Sequence, residues 1–182
     1  MTFDGSVWRY EDVGAKKPTK VPYDAKAPKG HDKLASVNEV SSWSSFAICV
    51  DRFNNGDCDG IGFVFTNNDP YTFIDLDDSS LLLDGKPNPD YQLTLNRQIK
   101  IFKEFDSYSE VSPSGKGLHI IVKGKVPAGR RRSFIEIYSS QRYATMTGNV
   151  YHKKPIENRQ EQLTNLYDQM GAGTPATIIF QG

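Results

Sequence analysis

The sequence predicts an α+β fold with a mainly antiparallel sheet, and three observations carry that expectation. Short runs of alternating or β-rich apolar residues recur at 61–65, 72–76, 118–123 and 134–138. Stretches with helical apolar spacing lie between and after them. No regular strand–helix–strand rhythm links the two kinds of segment, as a parallel sheet would require.

Taken in order, a Lys/Pro-rich opening, Lys16 to Tyr23, leads into a segment from Val40 to Phe53 whose apolar residues fall at helical spacing behind Ser, Asn and Glu, the pattern of a short helix. Ile61-Gly62-Phe63-Val64-Phe65 and Thr72-Phe73-Ile74-Asp75-Leu76 flank the turn-rich Asn67-Asn68-Asp69-Pro70, which predicts an antiparallel hairpin. From Pro89 to Phe105, Leu95, Ile99 and Phe102 recur at i, i+4 and i+7 and predict an amphipathic helix packed through that face. Leu118 to Lys123 places Leu118, Ile120 and Val122 on one side of a strand and His119 and Ile121 on the other, and Phe134-Ile135-Glu136-Ile137-Tyr138 alternates again. Leu163, Leu166, Tyr167 and Met170 mark a C-terminal helix. The chain thus reads as one domain over residues 1–170, followed over 171–182 by a linker, a cloning remnant or the stub of a longer protein.

Composition narrows the function classes. At 182 residues the chain has room for one well-cored domain, and 37% hydrophobic with 12% aromatic residues argues against disorder. The 22 basic and 22 acidic residues cancel, so attraction to a polyanion must come from local patches. Cys49 and Cys58 make neither a disulfide framework nor a zinc set, and a reducing cytoplasm is the expectation. No apolar run approaches the roughly 20 residues that span a bilayer, so no membrane partner is expected.

The chemistry concentrates in three places. Asp75 and Asp77 stand two apart in an apolar strand and therefore share a face, where like charges repel unless a cation lies between them. Hard divalent ions take such oxygen donors together with substrate phosphates; the structural alternative is a strand running into the acidic turn Asp77-Asp78-Ser79-Ser80. Ser112-Pro113-Ser114-Gly115-Lys116-Gly117-Leu118-His119 combines glycines, hydroxyls and a lysine that can approach a phosphate. It is not a Walker A loop, because Gly117 follows the lysine where Ser or Thr is needed, and for this loop taken alone a hairpin turn with a solvated lysine is the favoured reading. Glu136 sits inside an apolar strand, where a carboxylate is costly unless paired, hydrogen-bonded or metal-bound; a half-exposed edge strand is the alternative. Beside Asp75 and Asp77 it would complete a set able to hold two divalent ions. Arg130-Arg131-Arg132 is either a solvated loop or a contact for template phosphates. Asn55, Asp57, Asp59 and Gly60 imitate the start of a calcium loop, but Thr66 stands where a bidentate glutamate is required, leaving a polar turn.

The succession Phe73-Ile74-Asp75-Leu76-Asp77, Ser114-Gly115-Lys116-Gly117-Leu118-His119 and Ile135-Glu136-Ile137 resembles the three-motif signature of the archaeo-eukaryotic primase superfamily. Lys20-Val21-Pro22-Tyr23, Ala35-Ser36-Val37, Trp43, Gly60 to Val64 and Ser140 to Gly148 extend the resemblance, from about Trp8 to Met170, to the N-terminal primase-polymerase domain of phage and plasmid replication proteins. The resemblance implies an N-terminal α/β unit packed with an RRM-like sheet, the active site lying in the cleft between them. It implies template-directed nucleotidyl transfer, with Asp75, Asp77 and Glu136 holding two Mg²⁺ or Mn²⁺ ions. Ser114, Gly115, Lys116 and His119 would grip the triphosphate, His119 counting among the catalytic residues. Arg142 and Tyr143 would line the nucleotide pocket, where Tyr143 would stack on the sugar and disfavour a 2′-hydroxyl. Single-stranded DNA template, primer and nucleoside triphosphates are the implied partners, with a helicase domain in a longer protein and the host cytoplasm as the setting. Asp78 falls outside the motif, and no zinc-binding set or Walker A motif accompanies it. Two rivals share these residues: a non-catalytic single-strand-binding module stacking bases on Phe63, Phe65 and Tyr138, and a metal-dependent phosphodiester hydrolase.

Overall fold

The computed structural model describes residues 4–14, 18–77, 82–83 and 85–171. Its elements run β1 (Gly5–Glu11), β2 (Thr19–Tyr23), a 3-10 turn (Val40–Ser42), α1 (Phe46–Asn54), β3 (Gly60–Phe65), β4 (Tyr71–Leu76), β5 (Leu82–Leu83), β6 (Lys86–Pro87), α2 (Tyr91–Phe105), β7 (Ser109–Val111), β8 (Leu118–Lys123), β9 (Arg130–Arg132), β10 (Ile135–Tyr138), β11 (Arg142–Met146), β12 (Val150–His152) and α3 (Gln160–Gly171). The α+β class with antiparallel sheets is as the alternating runs predict. The chain divides into two compact units, Met1–Asn67 with Ser140–Gly148, and Asn68–Ser139 with Asn149–Gly182. Asp78 and the stretch 172–182 lie outside the described residues.

The first unit is a four-stranded sheet ordered β11-β3-β1-β2, with α1 against it through Cys49, which packs with Val7 and Ala25. β2 carries Pro22, which cannot donate to a ladder and is tolerated because β2 is a sheet edge. That proline, and the mixed pattern of β1, hide both strands from a periodicity argument. The helix expected from Val40 starts late: Val40–Ser42 forms a 3-10 turn, and Ser44 exchanges two backbone hydrogen bonds with Gly5, which holds the chain extended before Phe46.

The second unit holds a six-stranded antiparallel sheet ordered β12-β7-β8-β4-β10-β9. One face carries Ile74, Leu76, Ile120, Val122, Ile135 and Ile137 into a core closed by Ile101 and Phe105 of α2 and Leu163, Leu166 and Met170 of α3. Burying such aliphatic side chains contributes about 1.5–3 kcal/mol each. The hairpin expected across Asn67–Pro70 does not form: β3 pairs with β1 and β11, whereas β4 pairs with β8 and β10. Each strand already has both neighbours, so the four-residue turn links two sheets instead of closing one. The α2 face is also rotated from expectation. Phe102 packs against the core as expected, but Ile101 and Phe105 are its buried members and Ile99 is 41% exposed, so the packed face is turned away from the Leu95–Ile99 side of the stripe.

Arg130 and Arg132 are structural. Their guanidinium groups donate to the carbonyls of Tyr167 and Met170 near the C-terminal end of α3, and Arg130 stacks over the Tyr167 ring at 3.6 Å. In the first unit a Cβ on Gly62 would stand 2.3 Å from the Tyr143 ring. Gly62→Ala is therefore expected to destabilise the protein by about 1–3 kcal/mol, the usual range for overpacking, read as a lower urea midpoint at unchanged slope.

Candidate active site

Directly opposed residues on neighbouring strands share a face, and in the second unit one such row is polar from β7 across to β9, with Val150 of β12 lying beyond it. Glu110 on β7 faces His119 on β8, His119 faces Asp75 on β4, Asp75 faces Glu136 on β10, and Glu136 faces Arg131 on β9. The next row, Ser109, Ile120, Ile74, Ile137 and Arg130, points to the opposite, helix-covered face. Asp75 and Glu136 are thus neighbours in the sheet with His119 on the other side of Asp75, whereas Asp77 follows the last residue of β4 and is linked to Glu136 through Arg131. β10 is an interior strand and Glu136 is 5% exposed, which removes the half-exposed edge alternative.

The charges along the row are arranged. His119 is 2% exposed, with Nδ1 3.2 Å from Glu110 Oε1 and Nε2 3.8 Å from Asp75 Oδ1. Phe73 meets its ring edge-on at 4.8 Å between centroids. Arg131 reaches the acidic end, its Nε 3.1 Å from Glu136 Oε1 and Nη2 3.9 Å from Asp77 Oδ2. The middle member of Arg130-Arg131-Arg132 alone turns to this face, as strand alternation requires. Among the described residues no three His, Cys, Asp or Glu side chains gather as a ready metal-binding group. The donors themselves suit a hard cation: carboxylate oxygens on one face, already attracting a guanidinium.

The Ser114–Gly117 segment is the turn joining β7 to β8, so its glycines do serve a hairpin. Ser112 ties it together, accepting from Gly115 N at its carbonyl (2.9 Å) and from Gly117 N at Oγ (3.0 Å), while Lys116 N donates to Ser114 Oγ at 3.3 Å. These N–H groups donate within the loop, so the expected backbone cradle is not presented in this conformation. The exposed Ser114 hydroxyl and the Lys116 ammonium are what the turn offers to an anion.

Arg142 and Tyr143 stand in the first unit, on β11 opposite Phe65 and Val64. Burial pushes the Tyr143 phenol pKa up, partly offset by the Ser6 hydroxyl beside it. Also in the first unit is a cavity of about 530 Å³ lined by Arg9, Lys29, Asp32, Arg52, Asp57 and Asp59. Its charges pair off, Arg9 with Asp32 and Lys29 with Asp57, each at 2.8 Å, and Asp59 accepts from Tyr10 N at 2.7 Å. The Asn55–Gly60 stretch is thus the polar turn its sequence predicts. Of the aromatic residues proposed as stacking platforms, Phe65 is 1% exposed and packs edge-on against Phe63, which withdraws it from any base.

Sequence reasoning missed Glu110 and Tyr108, and took Arg131 only as one of three arginines in a solvated loop or a template-phosphate contact, not as a partner of Glu136 and Asp77. The β7 strand is only three residues long and shows no period to read; its one signal was a glutamate flanked by serine and valine.

No family model matches the chain. A DNA primase-polymerase of Nitratiruptor phage NrS-1 is 35% identical to it over 158 residues, which is 80% of this chain and 19% of that protein. The chain is a domain similar to part of a phage primase-polymerase. It spans about a fifth of that relative's length, and the similarity agrees with the primase-polymerase resemblance of the motifs.

The loop and the acidic strand meet at one glycine. A Cβ on Gly117 would lie 2.7 Å from the Leu76 carbonyl oxygen and 3.0 Å from Ser112 Oγ. Backbone cannot swing aside as a side chain can, so Gly117→Ala is expected to shift the Lys116 turn away from Asp75. Amide chemical-shift changes running from residue 112 into β4, with a loss of about 1–3 kcal/mol in urea denaturation, would register it.

Proposed function

We propose that this chain is the catalytic domain of a DNA primase-polymerase of phage or plasmid replication, a template-directed nucleotidyltransferase. The observation that carries the reading is the register placing His119, Asp75 and Glu136 side by side on one sheet face, with the Lys116 turn at the start of the same strand. A primer 3′-hydroxyl would attack the α-phosphorus of a bound nucleoside triphosphate and release pyrophosphate. Asp75, Asp77 and Glu136 would hold two Mg²⁺ or Mn²⁺ ions, which supply Lewis-acid stabilisation of charge on the attacking and leaving oxygens. Arg131 would yield its place between Glu136 and Asp77. Lys116, His119 and the Ser114 hydroxyl would bind and neutralise the triphosphate, and Arg142 and Tyr143 carry over from the family pattern as nucleotide-pocket residues, Tyr143 against the sugar. Single-stranded template and primer, a helicase region in a longer protein, and the host cytoplasm belong to the same proposal. Among the described residues no helix is long and apolar enough to cross a membrane.

The burial of Phe65 counts against a passive base-stacking module. The test is primer extension in Mg²⁺ or Mn²⁺ by wild type and by the double variant Asp75→Ala, Asp77→Ala. Extension is expected to fall by at least about 100-fold, the loss typical when transition-state charge is left unstabilised, with the far-ultraviolet circular dichroism unchanged. Undiminished extension by the variant overturns the assignment, and shortening of the primer without nucleotide-dependent growth favours the hydrolase.

A further inference from the structure

Phe102 of α2 and Tyr151 of β12 meet edge to face, 5.4 Å between ring centroids. With Leu95, Ile99 and Leu118 they line a groove of about 250 Å³ beneath the Lys116 turn, all of it within the second unit. The groove lies on the helix-covered side of the sheet. Val111, Leu118 and Leu76 are opposed one residue along from the polar row, so strand alternation turns them to that side. Two features distinguish this space from a core crevice. Tyr151 is 63% exposed and Ile99 is exposed beside it, so part of an apolar lining stands in water. The elements that wall it are also basic. α2 carries Arg97, Lys100 and Lys103 against Glu104, the turn adds Lys116, and Lys153 follows β12, in a chain whose charges cancel overall. Lys154, the next residue, is taken up by Asp106. The groove adjoins the acidic end of β4: Gln98 lines it and donates to the Asp77 carbonyl, and Leu76 in its lining immediately precedes Asp77.

We propose that this groove binds the uncopied template strand beside the primer terminus, Tyr151 stacking on an unpaired base while Lys103 and Lys153 contact its phosphates. Aromatic rings bordered by lysines are the pairing that holds a single strand without reading its sequence. The space takes flat rings and not a double helix. In a primer–template only the uncopied strand has unpaired bases, and the groove adjoins a residue assigned to the metals. The single-strand chemistry follows from the groove itself; its assignment to template rests on the function proposed above.

The experiment measures fluorescence anisotropy of the full chain with a labelled DNA hairpin carrying an unpaired thymidine 5′ overhang, and with the same hairpin made blunt, without nucleotide or divalent metal. Tyr151→Ala should raise Kd for the overhang about tenfold, the worth of one stacked base, with Tyr151→Phe close to wild type and the blunt hairpin unaffected. Lys103→Ala combined with Lys153→Ala should lower the slope of log Kd against log salt by roughly 1.4, two contacts at about 0.7 each on a single strand. In wild type, 4-thiothymidine at the first overhang position should crosslink to Tyr151 or Phe102. Crosslinks confined to the first unit overturn the proposal, and so does an overhang affinity unchanged in both variants. Self-association lost in Tyr151→Ala, with strand binding intact, gives the groove to a second copy and overturns it too. A wild type that binds the overhang through Tyr151 yet extends no primer upholds the single-strand groove and overturns the polymerase reading alone.

Discussion

The register of β8, β4 and β10 is the constraint on which the rest depends. Ile120, Ile74 and Ile137 are opposed in the core, each with no exposed surface, and they fix how the three strands align. With that alignment set, His119, Asp75 and Glu136 have no choice but to stand together on the other face. A slip of one residue would exchange the two sets and drive three ionisable side chains into an apolar core, each at a cost of several kcal/mol. The core thus builds the polar row on the opposite face, although no core residue belongs to that row.

The same face separates into an inner and an outer end. At the inner end Glu110, His119 and Phe73 are almost wholly buried and mutually restrained, which suits a side chain that must hold one orientation. At the outer end Arg131 is two-thirds exposed and bridges Glu136 and Asp77 from solvent, a contact worth little in stability and easily exchanged for another cation. The contrast is physical in origin: β7 lies inside the sheet between β12 and β8, whereas β9 is its last strand.

Much of this was legible in the sequence because strand alternation is strict. Leu118, Ile120 and Val122 against His119, and Ile135 and Ile137 against Glu136, announced which side chains face the core and which do not. Alternation says nothing about neighbours, however, so the hairpin drawn from β3 to β4 failed: turn residues at Asn67–Pro70 mark a change of direction, not a pairing. The α2 stripe misled for a related reason, since Leu95, Ile99 and Phe102 fit a helical period, yet Ile101 and Phe105 face the sheet. Glu110 was invisible because a three-residue strand has no period, and Arg130 and Arg132 because the α3 carbonyls they cap are some 40 positions away along the chain.

The most direct measurement of the central claim is paramagnetic broadening of backbone amide signals by Mn²⁺ in the presence of a nucleoside triphosphate. The account predicts that the strongest broadening centres on residues 75, 77 and 136, spreads to His119 and Lys116, and disappears in Glu136→Gln at the same Mn²⁺ concentration. Broadening centred on Asp57 and Asp59 of the first unit, or unaffected by Glu136→Gln, would contradict it.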